Sequence, residues 1–245
     1  MHTTNERPTT GHTPVEGARI PGREPARVGA AAPAPGGVGR ALLLPIAATG
    51  VLMAAYQLVR PYGDVAGGTG TLDAIASPWW LVAHIAALFG LAAFALAAVR
   101  LADVDGSRTA RAARVAALAG AALVLPAYGV EAFGLHLVGQ YGEGSPIALA
   151  IFHGSRENVT GLVFLAGGLL GIAVAGVLAA IAFRRRTGSW TMWPVAIAMA
   201  LVMPAFLLPP AGRMAFGMLT LVAAAIAVFG LVRTASASAP VASHS

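Results

Sequence analysis

The sequence predicts an all-α integral membrane protein, with six transmembrane helices in a single bundle and both termini in the cytoplasm. Composition is the first reason, because 57% of the 245 residues are hydrophobic and 11% are charged, whereas a soluble domain has roughly 25% charged residues. The second is that apolar runs of about 20 residues, the length that crosses a bilayer as a helix, recur along the chain. The third is the placement of the arginines, which gather at alternate ends of these runs.

Composition also excludes several kinds of chemistry. The chain has no cysteine, which excludes disulfides, thiol catalysis and Cys-ligated zinc or iron–sulfur sites. The net charge of +6 rests on arginine without any lysine, and arginines at the ends of apolar runs act as topology determinants. We therefore expect a lipid bilayer, not nucleic acid, as the partner. Arginine without lysine, with abundant alanine and glycine, indicates a GC-rich bacterial source and a plasma-membrane location.

Two polar tails flank the predicted membrane domain, which covers residues 39–233. Residues 1–38 hold many prolines and glycines, mixed charges and almost no large apolar side chain. Such a segment cannot bury enough surface to offset the entropy of ordering. Residues 234–245 are rich in alanine and serine. Both segments are predicted to be disordered and cytoplasmic.

Six apolar runs define the predicted spans. Trp79 and Trp80 open the second run, and Trp190 and Trp193 open the fifth, which suits indole rings because they prefer the membrane interface. The predicted spans lie at about residues 40–59, 78–99, 112–139, 158–183, 190–208 and 213–232.

Two connections between these spans are long. Pro61 and the glycines between residues 63 and 70 predict a loop after the first span. The connection 140–157 contains the apolar segment 146–153, which is too short to cross a bilayer and predicts an interfacial or re-entrant helix.

Small residues recur at every fourth position of the fourth span, at Gly167, Gly171 and Ala175. Such a stripe lets two helices approach closely. It predicts helix packing, either within the bundle or with a second copy or another membrane protein.

Two proline-containing segments resemble each other. Residues 122–128 read ALVLPAY and residues 200–206 read ALVMPAF. This match is explained either by duplication of a helical hairpin or by chance among alanine-, leucine- and valine-rich spans. In both cases Pro126 and Pro204 predict helix kinks, because proline cannot donate a backbone hydrogen bond.

The candidate site is a set of polar side chains near one end of the predicted spans. An ionisable group inside a span costs on the order of 3 kcal/mol and faces protein or water instead of lipid. At 1.5 Å per residue, Glu131 lies about 12 Å and His84 about 9 Å below the outer surface. His136, five residues after Glu131, points about 140° away from it. The full set of candidates is Glu131, His84, His136, Arg213, Arg60 and Gln57.

Three hypotheses account for Glu131. It forms a structural hydrogen bond or ion pair with His84, Arg213 or Arg60. Alternatively, it binds a ligand or relays protons in a small solute or proton-coupled carrier, or in a carrier subunit. In the third hypothesis, His84 and His136 ligate haem or a metal in a redox protein.

Catalytic motifs are missing from the sequence, including the nucleophile elbow, the zinc-protease helix motif and the phosphate-binding loop. We therefore expect a multi-pass protein that is not an enzyme, with no resident cofactor or metal, and with an outward-facing polar pocket around Glu131 and His84.

Arginine placement predicts the orientation. Ten arginines lie on one side and three on the other, and the richer side faces the cytoplasm. A fluorescent protein fused after Ser245 should fluoresce, and alkaline phosphatase fused there should be inactive. A fusion that is active only outside the membrane would contradict this orientation. The ten are Arg27, Arg40, Arg100, Arg108, Arg111, Arg114, Arg184, Arg185, Arg186 and Arg233, and the three are Arg60, Arg156 and Arg213.

Overall fold

The computed structural model describes residues 35–67 and 69–236, so predictions for residues 1–34 and 237–245 fall outside it. No strand occurs in these two ranges. A π-helical turn, Val130–Gly134, joins the fifth helix to the sixth. The helices are α1 (Pro35–Val59), α2 (Gly63–Ala66), α3 (Thr69–Ala76), α4 (Pro78–Asp105), α5 (Arg108–Gly129), α6 (Leu135–Tyr141), α7 (Pro146–Glu157), α8 (Val159–Thr187), α9 (Trp193–Ala205) and α10 (Pro210–Ser236).

Among the described residues, five helical segments are long and apolar enough to cross a membrane, which indicates a multi-pass membrane protein. Large apolar side chains project from them into the surroundings, such as Leu44, Phe89 and Leu219, which are 77%, 63% and 66% exposed. A bilayer solvates such a surface, whereas water does not. The five segments are Gly37–Val59, Pro78–Asp105, Arg108–Tyr141, Val159–Thr187 and Pro210–Ser236.

The predicted fifth span, 190–208, contains a shorter helix than the other five. α9 has 13 residues and therefore measures about 20 Å, against about 30 Å for the hydrocarbon core. It ends one residue after Pro204, and a turn through Phe206, Leu207 and Leu208 leads to α10. The first four spans and the last agree in place with the five long segments.

Several helices extend past the predicted span ends, because hydropathy stops at the first arginine whereas a helix stops at its capping residue. α4 continues to Asp105 and ends at Gly106, which has φ +67°. α8 continues through three arginines and ends at Gly188, with φ +74°. Left-handed glycines of this kind terminate helices. α1 starts at Pro35 and α10 ends at Ser236, so both helices enter segments predicted as tails.

The region after α1 is not the predicted loop, because it folds into α2 and α3. α3 is held by its apolar face, where Leu72 and Ile75 enter a small core with Trp80. α7 packs on the same core through Ala148 and Phe152, while Ile147 remains 71% exposed. Segment 146–153 is thus part of a helix packed against the bundle.

The two ends of the bundle are defined by contacts between helix termini. At the first end, Arg185 on α8 donates to Thr109 on α5 over 3.3 Å, and Gly230 on α10 lies against Thr191 before α9. At the second end, Gly217 on α10 lies against Gln57 on α1. We call the first the arginine-rich end and the second the opposite end.

A close helix crossing joins α5 and α8. A Cβ at Gly120 would lie 2.8 Å from the carbonyl oxygen of Gly168, and one at Gly171 would lie 2.8 Å from Gly120 Cα. Ala175 is fully buried, while Gly167 lies at the rim, where an added Cβ would lie 3.6 Å from Leu123 Cδ1. The small-residue stripe of α8 therefore packs within the chain. At such a crossing, a side chain would force the two backbones apart.

Pro126 and Pro204 occupy different settings. Pro126 lies inside α5, four residues before the π-helical turn, and the helical path continues to Tyr141. Pro204 is in the last turn of α9.

Candidate functional site

The π-helical turn Val130–Gly134 frees a carbonyl group at the opposite end of the bundle. In an α-helix the Leu135 N–H would bond to the Glu131 carbonyl, but here it bonds to Val130. The indole Nε1–H of Trp80 donates to the Glu131 carbonyl instead, over 2.7 Å. π-helical turns of this kind are frequent at functional sites. This hydrogen bond attaches α4 to the π-helical turn. The turn in its place sets the position of the Glu131 side chain.

Four charged side chains form a chain of ion pairs beside this turn. Arg60, at the end of α1, bonds to Asp64 of α2, and these two side chains are 3% and 1% exposed. Arg156 of α7 reaches the same Asp64 oxygen at 3.0 Å. Its second terminal nitrogen, Nη2, lies 3.1 Å from Oε2 of Glu131. One guanidinium therefore bridges two carboxylates.

His84 adds a titratable ring to this network. Its side chain is 2% exposed, and its Nε2 lies 3.8 Å from Oε2 of Glu131. Its Nδ1 lies 2.8 Å from the carbonyl oxygen of Trp80. A carbonyl oxygen only accepts hydrogen bonds, so Nδ1 carries a hydrogen and Nε2 faces the carboxylate. We call Arg60, Asp64, Glu131, Arg156 and His84 the ion-pair cluster.

Aromatic rings enclose the ion-pair cluster. The rings of Trp80 and His84 stack with centroids 4.2 Å apart, and the Tyr56 ring meets His84 edge-on at 5.3 Å. The Arg60 guanidinium lies 4.9 Å from the Trp80 ring, and that of Arg156 lies 4.4 Å from the Phe152 ring. Cation–π contacts of this kind stabilise desolvated guanidinium groups.

The charge state of Arg60 follows from these neighbours. Burial lowers the pKa of the Arg60 guanidinium, but Tyr56, Asp64 and Glu131 raise it by more, so its pKa lies above the ordinary value. Burial likewise raises the pKa of the Tyr62 phenol, although Arg60 opposes this. Tyr62 therefore remains neutral near pH 7 and donates to the Gln57 carbonyl over 2.7 Å.

Two of the candidate residues have other contacts. The Nδ1 of His136 lies 2.8 Å from the carbonyl oxygen of Ile75, which ties α6 to α3. Arg213 donates through Nε to the Leu208 carbonyl over 2.9 Å and also bonds to the Phe206 carbonyl, which closes the end of α9. Neither makes an ion pair with Glu131 within the described ranges. Three of the six predicted site residues therefore belong to the ion-pair cluster, namely Glu131, His84 and Arg60. The other three, His136, Arg213 and Gln57, lie outside it.

Several buried polar atoms around the ion-pair cluster have no hydrogen-bond partner among the residues that the structure describes. They include Nε2 of Gln57, Oδ1 of Asp64 and the hydroxyl of Tyr128. Buried polar atoms normally have a partner. The amide, carboxylate oxygen and hydroxyl therefore have unused capacity for water or a small polar ligand.

The sequence interpretation missed Asp64 and Arg156. Both lie in segments that were interpreted as connections, where charged residues are ordinarily solvated. A signal was nevertheless present, since Arg156 is one of the three arginines on the arginine-poor side.

In the described ranges, no group of three or more His, Asp or Glu side chains is arranged to hold a metal ion. The Nδ1 atoms of His84 and His136 both lie against backbone carbonyls, which leaves only Nε2 of each ring for a ligand.

Comparison with known proteins yields no relative: no family model matches the chain, and no curated protein or solved structure matches it. Interpretation of the ion-pair cluster therefore rests on its geometry.

Replacing Asp64 by Asn should be strongly destabilising, because it leaves Arg60 buried with less compensation. Loss of one member of a buried pair costs about 3–5 kcal/mol. Asp103→Asn is the matched control, because the Asp103–Arg114 pair is exposed, with side chains 52% and 38% accessible, and such pairs contribute about 0–1 kcal/mol. Thermal unfolding in detergent measures both. Equal effects would show that the Arg60–Asp64 pair is not buried in the folded protein.

Proposed function

We propose that this chain is a non-enzymatic protein of the bacterial plasma membrane that binds a proton at the outer end of its bundle. The proton is held between Glu131 and His84. The observation that supports this most strongly is the 3.8 Å approach of His84 Nε2 to Glu131 Oε2, combined with the attachment of Nδ1 to the Trp80 carbonyl.

The proposed orientation places the arginine-rich end in the cytoplasm. Among the described residues, that end holds nine arginines and two aspartates, whereas the opposite end holds three arginines and five acidic residues. An excess of arginine marks the cytoplasmic side. The short helix α9 supplies the sixth crossing in this proposal, and both termini are cytoplasmic.

The tautomer of His84 favours the binding of a proton between His84 and Glu131. With hydrogen on Nδ1, a neutral His84 presents the lone pair of Nε2 to the negative oxygen of Glu131. Two lone pairs repel, but a proton on either group turns the contact into an attraction. The 3.8 Å separation exceeds a direct hydrogen bond, and a water molecule between the two groups would relay the proton.

The solvent exposure of Glu131 and Arg156 supports exchange of this proton with the outer side of the membrane. The Glu131 side chain is 27% exposed and Arg156 is 33% exposed, whereas His84 is 2% exposed. A proton would therefore reach Glu131 first and His84 second. Two phenol rings lie beyond His84, with the Tyr56 and Tyr128 centroids 5.3 and 6.3 Å from that of the imidazole.

The charges of the ion-pair cluster favour a second candidate function. In this alternative the chain is a small proton-coupled carrier or a subunit of one. Two arginines and two carboxylates cancel in the ion-pair cluster, so an added proton leaves one positive charge. A buried net charge is costly, and a small anionic solute would compensate it. The half-exposed Arg156, which bridges both carboxylates, is the group that such a solute would meet first.

The fluorescence of Trp80 should report proton binding, because its ring stacks on His84 and an imidazolium quenches indole emission more strongly than neutral imidazole does. We expect quenching as the pH is lowered. His84→Gln should remove this component, and Glu131→Gln should change it.

His153→Gln is the control, because it removes a histidine that contacts Phe152 and not Trp80. Its titration should match the unmodified protein. An unchanged titration in both His84→Gln and Glu131→Gln would contradict proton binding at this pair.

A further inference from the structure

A cleft of ≈ 320 Å³ lies between the end of α8 and the start of α9, lined by Ile181, Arg184, Arg185 and Trp193. We propose that this cleft binds the phosphate group of an anionic phospholipid. It lies at the arginine-rich end, so the proposal is independent of the ion-pair cluster.

The polar side chains that line the cleft are all hydrogen-bond donors. The Arg184 guanidinium lies 3.5 Å from the centre of the Trp190 ring, and it makes no hydrogen bond or ion pair with another described residue. Arg185 uses Nη1 to reach Thr109 at 3.3 Å, and its other N–H groups are available. A ligand that fits this lining supplies acceptor oxygens and negative charge.

Trp193 provides a second indication of a ligand. Its Nε1–H is buried and has no acceptor within the described part of the chain. A buried indole N–H usually has a partner. A phosphate between the two arginines would provide an acceptor for it, while the guanidinium groups would bind the remaining oxygens in the forked geometry that arginine favours.

The surface beside the cleft favours a lipid over a soluble phosphate. One and two turns along α8 from Ile181, Val177 and Val174 are 38% and 44% exposed. One turn along α9 from Trp193, Ile197 is 54% exposed. These apolar side chains continue the cleft toward the middle of the bundle, where acyl chains would lie. Basic clefts between helices at the cytoplasmic face bind anionic headgroups in this way.

The other charged residues at the arginine-rich end also favour binding of an anionic headgroup. The two acidic residues among the described residues there are already engaged, since Asp103 pairs with Arg114 and Asp105 bonds to Ser107. No carboxylate lines the cleft. An anionic headgroup is therefore attracted by the surrounding arginines without competition from a built-in counterion.

Native mass spectrometry of the full chain released from detergent tests this proposal with phosphatidylglycerol and phosphatidylcholine of equal chain length. The unmodified protein should retain phosphatidylglycerol in preference. Arg184→Gln combined with Arg185→Gln should weaken retention about tenfold or more, because each arginine near a headgroup contributes substantially. Trp193→Phe should weaken it severalfold without any change of charge.

Arg111→Gln is the matched control, because it removes one exposed arginine from the same end and leaves the cleft intact. It should change retention less than about twofold. Equal losses in Arg111→Gln and in the cleft variants would show diffuse surface attraction and overturn the site. Equal retention of phosphatidylcholine would also overturn it, because the headgroup charge would then not be recognised.

Glycerol 1-phosphate and inorganic phosphate distinguish a lipid from a soluble anion. Under the proposal, neither should displace phosphatidylglycerol at concentrations comparable with the lipid. Full displacement by either would reassign the cleft to a soluble phosphate compound. If the double variant fails to fold, the single variants Arg184→Gln and Trp193→Phe decide the question, and full retention by both would overturn the proposal.

Discussion

The bridge that Arg156 forms between Asp64 and Glu131 is the interaction on which the opposite end of the molecule depends. Its three members come from α7, α2 and the π-helical turn, which are far apart in sequence. Charges at this depth are tolerated only when each has a partner. The bridge therefore requires α2 and α7 to fold back onto the bundle, and it brings Arg60 and His84 into the same network.

The arginines at the two ends of the bundle have different partners. At the opposite end, Arg60 and Arg156 are paired with carboxylates, and Arg213 binds backbone carbonyls. At the arginine-rich end, Arg184 stacks on an indole ring and has no carboxylate partner among the described residues. This contrast agrees with the proposed orientation, in which the opposite end faces outward and its positive charge is compensated within the protein. It also agrees with the proposed binding of an anionic lipid at the arginine-rich end.

Sequence alone predicted the helical class and the positions of the long apolar helices, since hydropathy and length decide both. It also directed attention to Glu131 and His84, because ionisable groups in apolar runs are conspicuous. It could not predict α3, whose stability comes from the contacts of Leu72 and Ile75 with Trp80 and Leu135. Those partners lie on other helices.

The ion-pair cluster as a whole was harder to predict than its members Arg60, Glu131 and His84. Asp64 and Arg156 meet only because two connections fold onto the end of the bundle, which no local pattern encodes. The π-helical turn adds one residue per turn relative to an α-helix. Facing arguments based on a regular helix therefore lose accuracy after Gly129. The stripe on α8 shows a similar limit, because spacing identified small residues but could not distinguish Gly168 at the crossing from Gly167 at its rim.

The ¹⁵N NMR signals of the His84 ring, measured as a function of pH in the full-length protein, report directly on proton binding by Glu131 and His84. They distinguish a protonated from a bare nitrogen at each ring position, and loss of the signals in His84→Gln assigns them. Nδ1 should carry hydrogen at every pH, and the Nε2 signal should change with pH in a way that Glu131→Gln alters. A bare Nε2 at every pH, unaffected by Glu131→Gln, would contradict the claim that Glu131 and His84 bind a proton together.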